Sequence, residues 1–343
     1  MAVFHNLAFY KFVAVNDVPS TAAAFRTLTS TLDMKGTLIF AREGLNGYVA
    51  ATPESAEKFI AFCQQDARFA DIEFKVSLSD FNPYRRMLVK EKNEIVTMGC
   101  PGIEPEHFTG EHLDSRTLKE WLDSNDDVIL LDTRNTYETK LGSFKTAVIP
   151  EIETFRTFPK WVEDNFSDKK NKKIVTFCTG GIRCEKATAY MRQAGFEHVY
   201  QIQGGILKYF DQVKDLAGDN HYSGDCFVFD HRVAVNPSLQ KTEHDMCFVC
   251  WATVTAEDKA QPTYKENEHC PHCYEETIQK NKAQKEKAER TNREALARRF
   301  LRVEAERAKW ATHSTSKMQS FSVAKGINSQ AGESCSQSRM MSP

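Results

Sequence analysis

The stretch IVTFCTGGIRCEKATAYM, residues 174–191, joins an apolar strand pattern to an alanine-rich helix pattern through a short loop. The strand pattern KKIVTFC covers 172–178, and the helix pattern CEKATAYMRQAG covers 184–195. A continuous apolar strand that leads directly into a helix is typical of parallel α/β sheets. Ligands of such sheets bind beyond the carboxyl ends of the strands. Cys178 lies at such an end, so this stretch predicts both an α/β fold and the position of a site.

The loop CTGGIRC has the composition of an anion-binding turn. Gly180 and Gly181 permit a tight backbone curl. At a helix N-terminus, such a curl points successive N–H groups inward. A thiolate at Cys178 is stabilised there and reactive at neutral pH, and Arg183 adds a fixed positive charge. The alternative is a buried structural cysteine before a glycine turn, but the arginine, the glycines and the strand-to-helix position favour chemistry.

Two further observations concern the same loop. Cys184, on the first helical turn, is either a resolving thiol or a residue that packs. Four residues separate Cys178 from Arg183, whereas tyrosine phosphatases place five between their cysteine and arginine. The shorter loop suits a sulfur-sized group better than a phosphate, so phosphatase chemistry is disfavoured.

The rest of the chain predicts α/β and α+β domains in series. Residues 115–218 alternate strands, such as VILLDTR and HVYQIQGG, with helices, as expected for a parallel sheet. Residues 1–82 read β-α-β-β-α-β, a ferredoxin-like (acylphosphatase-like) domain with strands at 7–15, 36–41, 48–52 and 72–79. EGLNG, residues 43–47, predicts a turn, with Asn46-Gly47 favouring positive φ. A structural hairpin and a binding loop both fit that turn.

Four other segments complete the organisation. Residues 83–114 form a connector whose basic residues Arg85, Arg86, Lys90 and Lys92 are either a solvated face or a phosphate-contacting strip. Residues 219–278 are cysteine-rich, and 279–310 form a charged helix with eleven Lys/Arg and five Glu between 280 and 309. That helix contacts phosphates or is simply solvated. Residues 311–343, rich in Ser, Gln and Met, are expected to be disordered.

Two cysteine pairs with metal-ligand spacing lie in the cysteine-rich segment. Cys247-Phe-Val-Cys250 and Cys270-Pro-His-Cys273 are separated by nineteen residues. Two C-x2-C pairs at such a spacing predict a structural zinc site with four thiolate ligands. Chance pairing of reduced cysteines is the alternative. His269 and His272 are spare candidate ligands.

Composition narrows the class of protein. A chain of 343 residues with 41% hydrophobic and 27% charged residues is globular and long enough for two or three domains. The net charge of −2 means that nucleic-acid contact must come from local basic patches. The sequence contains no apolar run of membrane-spanning length and no signal-peptide pattern at its start, so we expect a cytoplasmic protein. Its ten cysteines then indicate metal binding or thiol chemistry.

The segment around the cysteine loop resembles rhodanese domains. Their active-site loop starts with the nucleophilic cysteine, and the resemblance implies that Thr179, Gly180, Gly181 and Ile182 cradle it. VILLDTRNTYETKLGSFKTAVIP, residues 128–150, is similar to another rhodanese stretch. The matching positions there and near the end of the domain are Asp132, Arg134, Glu138, Gly142, Ala147, Ile149, Pro150 and Gly204. Two departures are Gly142-Ser143-Phe144, where Gly-His-Ile is usual, and an Ile-Pro that comes one residue early.

Four longer motifs together resemble one rhodanese-containing family, the bacterial oxygen-dependent tRNA uridine hydroxylases. They are EGLNG, VKEKNEIVTMG, CTGGIRCEKA and GDCFVFDHRV, within a similarity that spans about residues 5–275. The resemblance implies an oxidoreductase of the monooxygenase class that converts the wobble uridine of tRNA to 5-hydroxyuridine. It also implies molecular oxygen as co-substrate and the anticodon loop as partner.

The residues are compatible with hydroxylation and with two other functions. The sequence contains no flavin or nicotinamide motif. Cys178, as thiolate or persulfide, can add to C6 of uracil and make C5 electron-rich toward oxygen. An unstacked base would enter between the N-terminal domain and the cysteine loop. The main alternative is a rhodanese-type sulfurtransferase that carries a Cys178 persulfide and receives sulfur from a donor protein. A non-enzymatic RNA-binding adaptor is a third possibility, against which the intact Cys178 and Arg183 count.

Overall fold

The structure is a computed structural model that describes residues 3–250 and 252–324. The chain divides into two compact units, Met1–His272 and Cys273–Pro343. The first unit holds a five-stranded sheet, a four-stranded sheet and three two-stranded sheets. The mixed α/β multidomain class expected from the sequence is confirmed.

The N-terminal domain has the predicted β-α-β-β-α-β order. Its elements are β1 (Phe4–Phe12), α1 (Val18–Thr31), β2 (Lys35–Ala41), β3 (Gly44–Ala51), α2 (Pro53–Gln65), β4 (Lys75–Ser79) and β5 (Met87–Glu91). The strand order is β4-β1-β3-β2-β5, antiparallel except for β5, which runs parallel to β2. The sheet and its two helices enclose a core rich in aromatic rings, including Phe9, Phe25, Phe40 and Phe59. The connector therefore supplies a fifth strand to this sheet.

The predicted turn pair Asn46-Gly47 lies four residues after the turn that the structure shows. The tight turn between β2 and β3 is Arg42–Glu43, and Asn46 and Gly47 are already inside β3. Gly44 carries the positive φ, +140°, and a Cβ there would lie 1.9 Å from the Lys11 carbonyl oxygen. The segment thus forms a hairpin between β2 and β3.

The central α/β domain is built on a parallel sheet. Its elements are β6 (Glu111–Leu113), α3 (Ser115–Asp123), β7 (Val128–Asp132), α4 (Thr136–Thr139), β8 (Gly142–Phe144), α5 (Phe158–Phe166), β9 (Lys173–Phe177), α6 (Ile182–Gln193), β10 (His198–Ile202) and α7 (Gly205–Val213). The sheet order is β6-β10-β9-β7. Strand β6 falls inside the expected connector, because three residues are too short to show a strand period.

The segment after 218 continues the central domain before it reaches the cysteines. Its elements are β11 (Tyr222–Gly224), β12 (Cys226–Phe227), β13 (Ala234–Val235), β14 (Asp245–Met246), β15 (Thr253–Val254) and α8 (Ala256–Lys259). Strand β11 pairs with β8, and Tyr222, Cys226 and Val228 are buried in the same core as β9. The expected boundary at 218 therefore does not separate two cores.

The second unit contains one long helix, α9 (Tyr274–Ala324). Its side chains are exposed from Ile278 to Glu306. The helix includes residues 311–324, which were expected to be disordered, while 325–343 lie outside the described residues. Among the helices that the structure describes, none is long and apolar enough to cross a membrane.

Candidate active site

The cysteine loop is held from both sides. Strand β9 ends at Phe177 and α6 begins at Ile182. Gly181 caps the helix with a φ of +101°, and its N–H donates to the Cys178 Sγ at 3.1 Å. On the other side, the first N–H groups of α7 bond the loop carbonyls: Ile206 N to Cys178 O at 2.9 Å and Leu207 N to Thr179 O at 3.1 Å. The carbonyls are thus turned toward α7, which leaves loop N–H groups to face the sulfur.

Cys178 is held as a thiolate although it is only 1% exposed. Burial alone would raise the pKa of its thiol. The hydrogen bond from Cys184, the charge of Arg183 and the backbone N–H groups of Arg183 and Gly181 outweigh burial and lower the pKa to about 5. At neutral pH the sulfur is therefore an ionised nucleophile.

Cys184 is the neutral partner of that thiolate. It is fully buried, and burial together with the hydrogen bond to Cys178 raises the pKa of its thiol well above the usual range. The Thr133 hydroxyl also lies 3.6 Å from its Sγ. Cys184 therefore donates to the nucleophile, a contact that serves either a supporting or a resolving role.

The Arg183 guanidinium is held in a buried ion pair, which its position in the loop did not indicate. Its guanidinium is clamped by Glu138, with N–O distances of 2.5 and 2.7 Å, and both side chains are buried. The same carboxylate accepts from the Asn135 N–H at 3.1 Å, which closes the first turn of α4. The positive charge beside Cys178 is thus partly compensated, and its position is fixed by a bidentate pair.

Asp132 and Arg134 lie behind the loop rather than in it. They form a fully buried ion pair at 2.7 Å, and the Arg134 guanidinium also donates to the Gly142 carbonyl. The Ser143 hydroxyl donates to Asp132 at 2.7 Å, so the departure at Gly142-Ser143-Phe144 is accommodated within this network. These residues hold the end of β7 against β8 and do not line the cavity at Cys178.

Cys178 opens onto a cavity of about 890 Å³ between the N-terminal and central domains. We call it the catalytic cleft. Its walls come from the N-terminal domain, the connector, the central domain and the segment after residue 218. They include Ile39, Asn46, Tyr48, Tyr84, Ile95, Tyr137, Arg156, Gly180, Ile182, Arg183 and Phe229. A cavity of this size is in the range that encloses a ligand the size of a nucleotide.

Sequence reasoning missed the aromatic walls of the cleft. The rings of Tyr48 and Phe229 are 5.6 Å apart, and Phe229 also lies under the Arg183 guanidinium at 5.8 Å. Burial raises the pKa of Tyr48, so its hydroxyl stays protonated and can donate. Nothing local in the sequence brings these residues together, although Phe229 lies within GDCFVFDHRV and Tyr48 directly follows EGLNG, two motifs that carried the family resemblance.

The residues after Cys184 join the two domains. The Glu185 carboxylate accepts from the Tyr10 hydroxyl of β1 at 2.8 Å and also bonds His112, Thr109 and Gln201. The buried Lys186 ammonium pairs with Glu43 at 2.8 Å and with Glu94 at 2.6 Å. The helix that carries the active-site loop therefore also fixes the N-terminal domain across the cleft.

The four predicted metal ligands lie together. The Sγ atoms of Cys247, Cys250, Cys270 and Cys273 are all within 4.8 Å of one another. Four thiolates around tetrahedral zinc would have sulfurs about 3.8 Å apart, given a Zn–S bond of about 2.3 Å. The spare histidines bond elsewhere, His269 to the Thr263 carbonyl and His272 to Asp258. This cluster can hold a metal ion.

Comparisons with known proteins agree with this architecture. The model of the UPF0176 acylphosphatase-like domain matches residues 4–95, and that of the rhodanese-like domain matches 114–212. A relative from Cupriavidus metallidurans, named tRNA uridine(34) hydroxylase, is 44% identical over 80% of this chain and 98% of its own. One of the same name from Burkholderia cenocepacia is 45% identical over 78% and 96%. A solved rhodanese-like domain from Anabaena sp. is 23% identical, covers 34% of this chain and 80% of its own, and has a TM-score of 0.28.

Proposed function

The chain belongs to the tRNA uridine(34) hydroxylase family, and we propose that it hydroxylates uridine 34 of tRNA at C5 with molecular oxygen. The observation that carries the proposal is the Cys178 thiolate at the wall of a cleft of about 890 Å³. The names of the relatives support hydroxylation over the sulfurtransferase alternative.

The proposed reaction begins with addition of the Cys178 thiolate to C6 of the uracil ring. The S–C6 bond forms as the C5–C6 double bond opens, and the electron pair passes to C5 and the C4 oxygen. Carbon C5 then bonds to molecular oxygen and becomes a hydroperoxide. Two external thiols reduce the O–O bond, release water and become a disulfide. Loss of the C5 proton and of the Cys178 thiolate restores the double bond and gives 5-hydroxyuridine.

The cleft supports this sequence in two ways. The N–H groups and Arg183 that stabilise the Cys178 thiolate also stabilise it as a leaving group, because they favour the charged sulfur in both directions. The protonated Tyr48 hydroxyl is a donor in the same cleft, where the ring oxygen gains charge after thiolate addition. Both effects act only on a base that has left its stack and entered the cleft.

We further propose that zinc occupies the four-cysteine cluster in a structural role. Four thiolates suit tetrahedral zinc, and a fully thiolate site leaves no open position for catalysis. The ion would connect the two C-x2-C pairs and so stabilise the segment that carries Phe248.

The test is a reaction of purified protein with unmodified tRNA, a dithiol and oxygen, followed by mass spectrometry of the nucleosides. We expect 5-hydroxyuridine that contains one atom from heavy-isotope oxygen gas, and none without oxygen. Absence of the product with wild-type protein would overturn the proposal. Cys178→Ser should abolish the product while Cys100→Ser, a half-buried cysteine outside the cleft lining, should not. A Cys178→Ser variant that still makes the product would refute the thiolate step.

A further inference from the structure

A second cavity of about 400 Å³ adjoins the catalytic cleft. We call it the neighbouring cavity. Both cavities are lined by Thr37, Tyr84 and Phe229, so these residues form the partition between them. The other residues that line the neighbouring cavity include Arg85, Arg86, Phe248 and part of the cysteine-rich segment. A ligand in the cleft that extends past the partition therefore enters this cavity.

The charges of the neighbouring cavity favour a phosphate. Arg85 and Arg86 are exposed, and neither makes an ion pair within the described residues. Two of the lining carboxylates are already neutralised, Asp230 by Arg232 at 2.6 Å and Asp245 by Lys259. An exposed carboxylate, Glu266, remains at the rim. The cavity thus presents two uncommitted guanidinium groups against one uncommitted carboxylate.

Its aromatic side chains favour a base. The Arg85 guanidinium lies 5.0 Å from the centre of the Phe248 ring, and the centre of the His231 ring lies 5.8 Å from the same point. Phe248 is 41% exposed and Phe229 39%. Exposed rings beside arginine are the surfaces on which proteins stack unpaired bases of single-stranded RNA.

We propose that the neighbouring cavity binds the nucleotide next to the target uridine, an inference that rests on the proposed function. The adjacent base stacks on Phe248, and Arg85 and Arg86 contact its phosphate. Tyr84 and Phe229 stand between this base and the uridine in the catalytic cleft. The partition therefore keeps the target base unstacked from its neighbour, and the cavity lets the enzyme sense the base beside uridine 34.

The test is binding of a labelled anticodon stem-loop RNA, measured by fluorescence anisotropy without turnover. Phe248→Ala should weaken binding about tenfold, as expected for loss of one stacked base. Phe108→Ala is the matched control, because Phe108 is 38% exposed and lies under Arg192 at 4.3 Å but lines neither cavity. It should bind as wild type does. Equal binding by Phe248→Ala and Phe108→Ala would overturn the proposal.

Two RNAs that lack the base on one side of the target uridine locate the stacked neighbour. Wild-type protein should bind one of these RNAs about tenfold more weakly than the complete RNA. Phe248→Ala, which has already lost the stacking contact, should bind that RNA and the complete RNA equally well. If removal of the base weakens binding by the same factor in wild type and in Phe248→Ala, the assignment of the base to Phe248 is overturned.

Arginine variants test the phosphate contact and do not disturb the cysteine cluster that flanks Phe248. Arg85→Gln and Arg86→Gln should each lower the slope of log affinity against log salt by about one. Unchanged slopes in both would overturn the assignment. These outcomes can be distinguished from a failure of the proposed function. If RNA binding depends on Phe248 but the bound RNA never gains a hydroxyl, only the proposed reaction is refuted. If the RNA is hydroxylated but Phe248→Ala binds it as tightly as wild type does, only the proposed role of the neighbouring cavity is refuted.

Discussion

Because Arg183 and Glu138 form a buried ion pair beside Cys178, replacing one or the other should affect the pKa of Cys178 differently. The Arg183 charge helps to lower the pKa of Cys178 to about 5, and Glu138 partly compensates that charge. Arg183→Met should raise the pKa of Cys178 by about 1–3 units, which is the usual effect of one nearby opposite charge. Glu138→Gln should leave it at or below its wild-type value.

Each single variant also leaves one buried charge without its partner and so destabilises the fold. A double variant separates this loss of stability from the effect on the pKa of Cys178. Removing one member of a buried ion pair costs about 3–5 kcal/mol, because the other charge stays buried without its partner. In Arg183→Met/Glu138→Gln neither charge remains, so its free energy of unfolding should be closer to wild type than that of either single variant. Its Cys178 pKa should nonetheless be raised, since the arginine charge is gone.

The assay is thiolate ultraviolet absorbance as a function of pH, with Cys178→Ser supplying the baseline. If the pKa rises from about 5 to about 7, the thiolate fraction at pH 6 falls from about nine-tenths to about one-tenth. Urea unfolding of each variant gives the stability term. A double variant that titrates as wild type does would refute the role assigned to Arg183, and a double variant less stable than both single variants would refute the pairing argument.

Three further predictions concern Gly181 in the loop, the hydrogen bond between His112 and Glu185, and the metal site. Gly181→Ala should lose about 1–2 kcal/mol in urea unfolding because φ there is +101°, whereas Gly180→Ala, whose Cβ would lie 3.8 Å from the nearest atom, should unfold as wild type does. The hydrogen bond to Glu185 raises the pKa of His112 above its ordinary 6.5, so the stability that His112 adds should be greatest below about pH 6 and be lost as pH rises through the raised pKa. Urea unfolding of His112→Gln against wild type across that range measures it, and a difference that grows with pH would contradict the assignment. Purified protein should contain one zinc per chain by metal analysis, and chelation or Cys270→Ser should lower the Tm by at least about 5 °C; a zinc-free protein with an unchanged Tm would contradict it.

Local patterns in the sequence were sufficient for the strand, loop and helix at the active site. The sequence predicted a strand that ends at Cys178 and a helix that starts near Arg183, and β9 ends at Phe177 and α6 begins at Ile182, each within two residues of the prediction. The pattern works because the apolar run, the glycines and the helix are consecutive, so no distant contact is needed to place the sulfur at the helix N-terminus.

The errors arose where distant contacts decide the backbone. Asn46-Gly47 has the composition of a hairpin turn, but Gly47 lies inside β3, where it pairs with Phe9 of β1 and is glycine because a Cβ would meet the Phe9 ring at 2.3 Å. The amide of Asn46 instead bonds the Ile95 carbonyl at 3.0 Å, which ties β3 to the connector. Both reasons involve residues about 40 to 50 positions away, which no local pattern contains.

The cleft walls could not be predicted for the same reason. Phe229 and Tyr48 meet only after the segment beyond 218 has folded back onto the central domain. The charge of Arg183 was predicted from its place in the loop, but its compensation was not. Glu138 precedes it by 45 residues and was assigned only through the rhodanese resemblance.

The first turn of α6 contacts both the nucleophile and the opposite wall of the cleft. Successive helical residues point about 100° apart, so four in a row reach every side of the helix. Arg183 and Cys184 face the active-site loop, whereas Glu185 and Lys186 bond the N-terminal domain and the connector. The residues that stabilise the thiolate all belong to the central domain, whereas Glu185 and Lys186 help to hold the N-terminal sheet that forms the opposite wall of the cleft. A central domain alone would therefore keep a reactive sulfur without the enclosed site that selects a base, and substrate selection rests on the contact between the two domains.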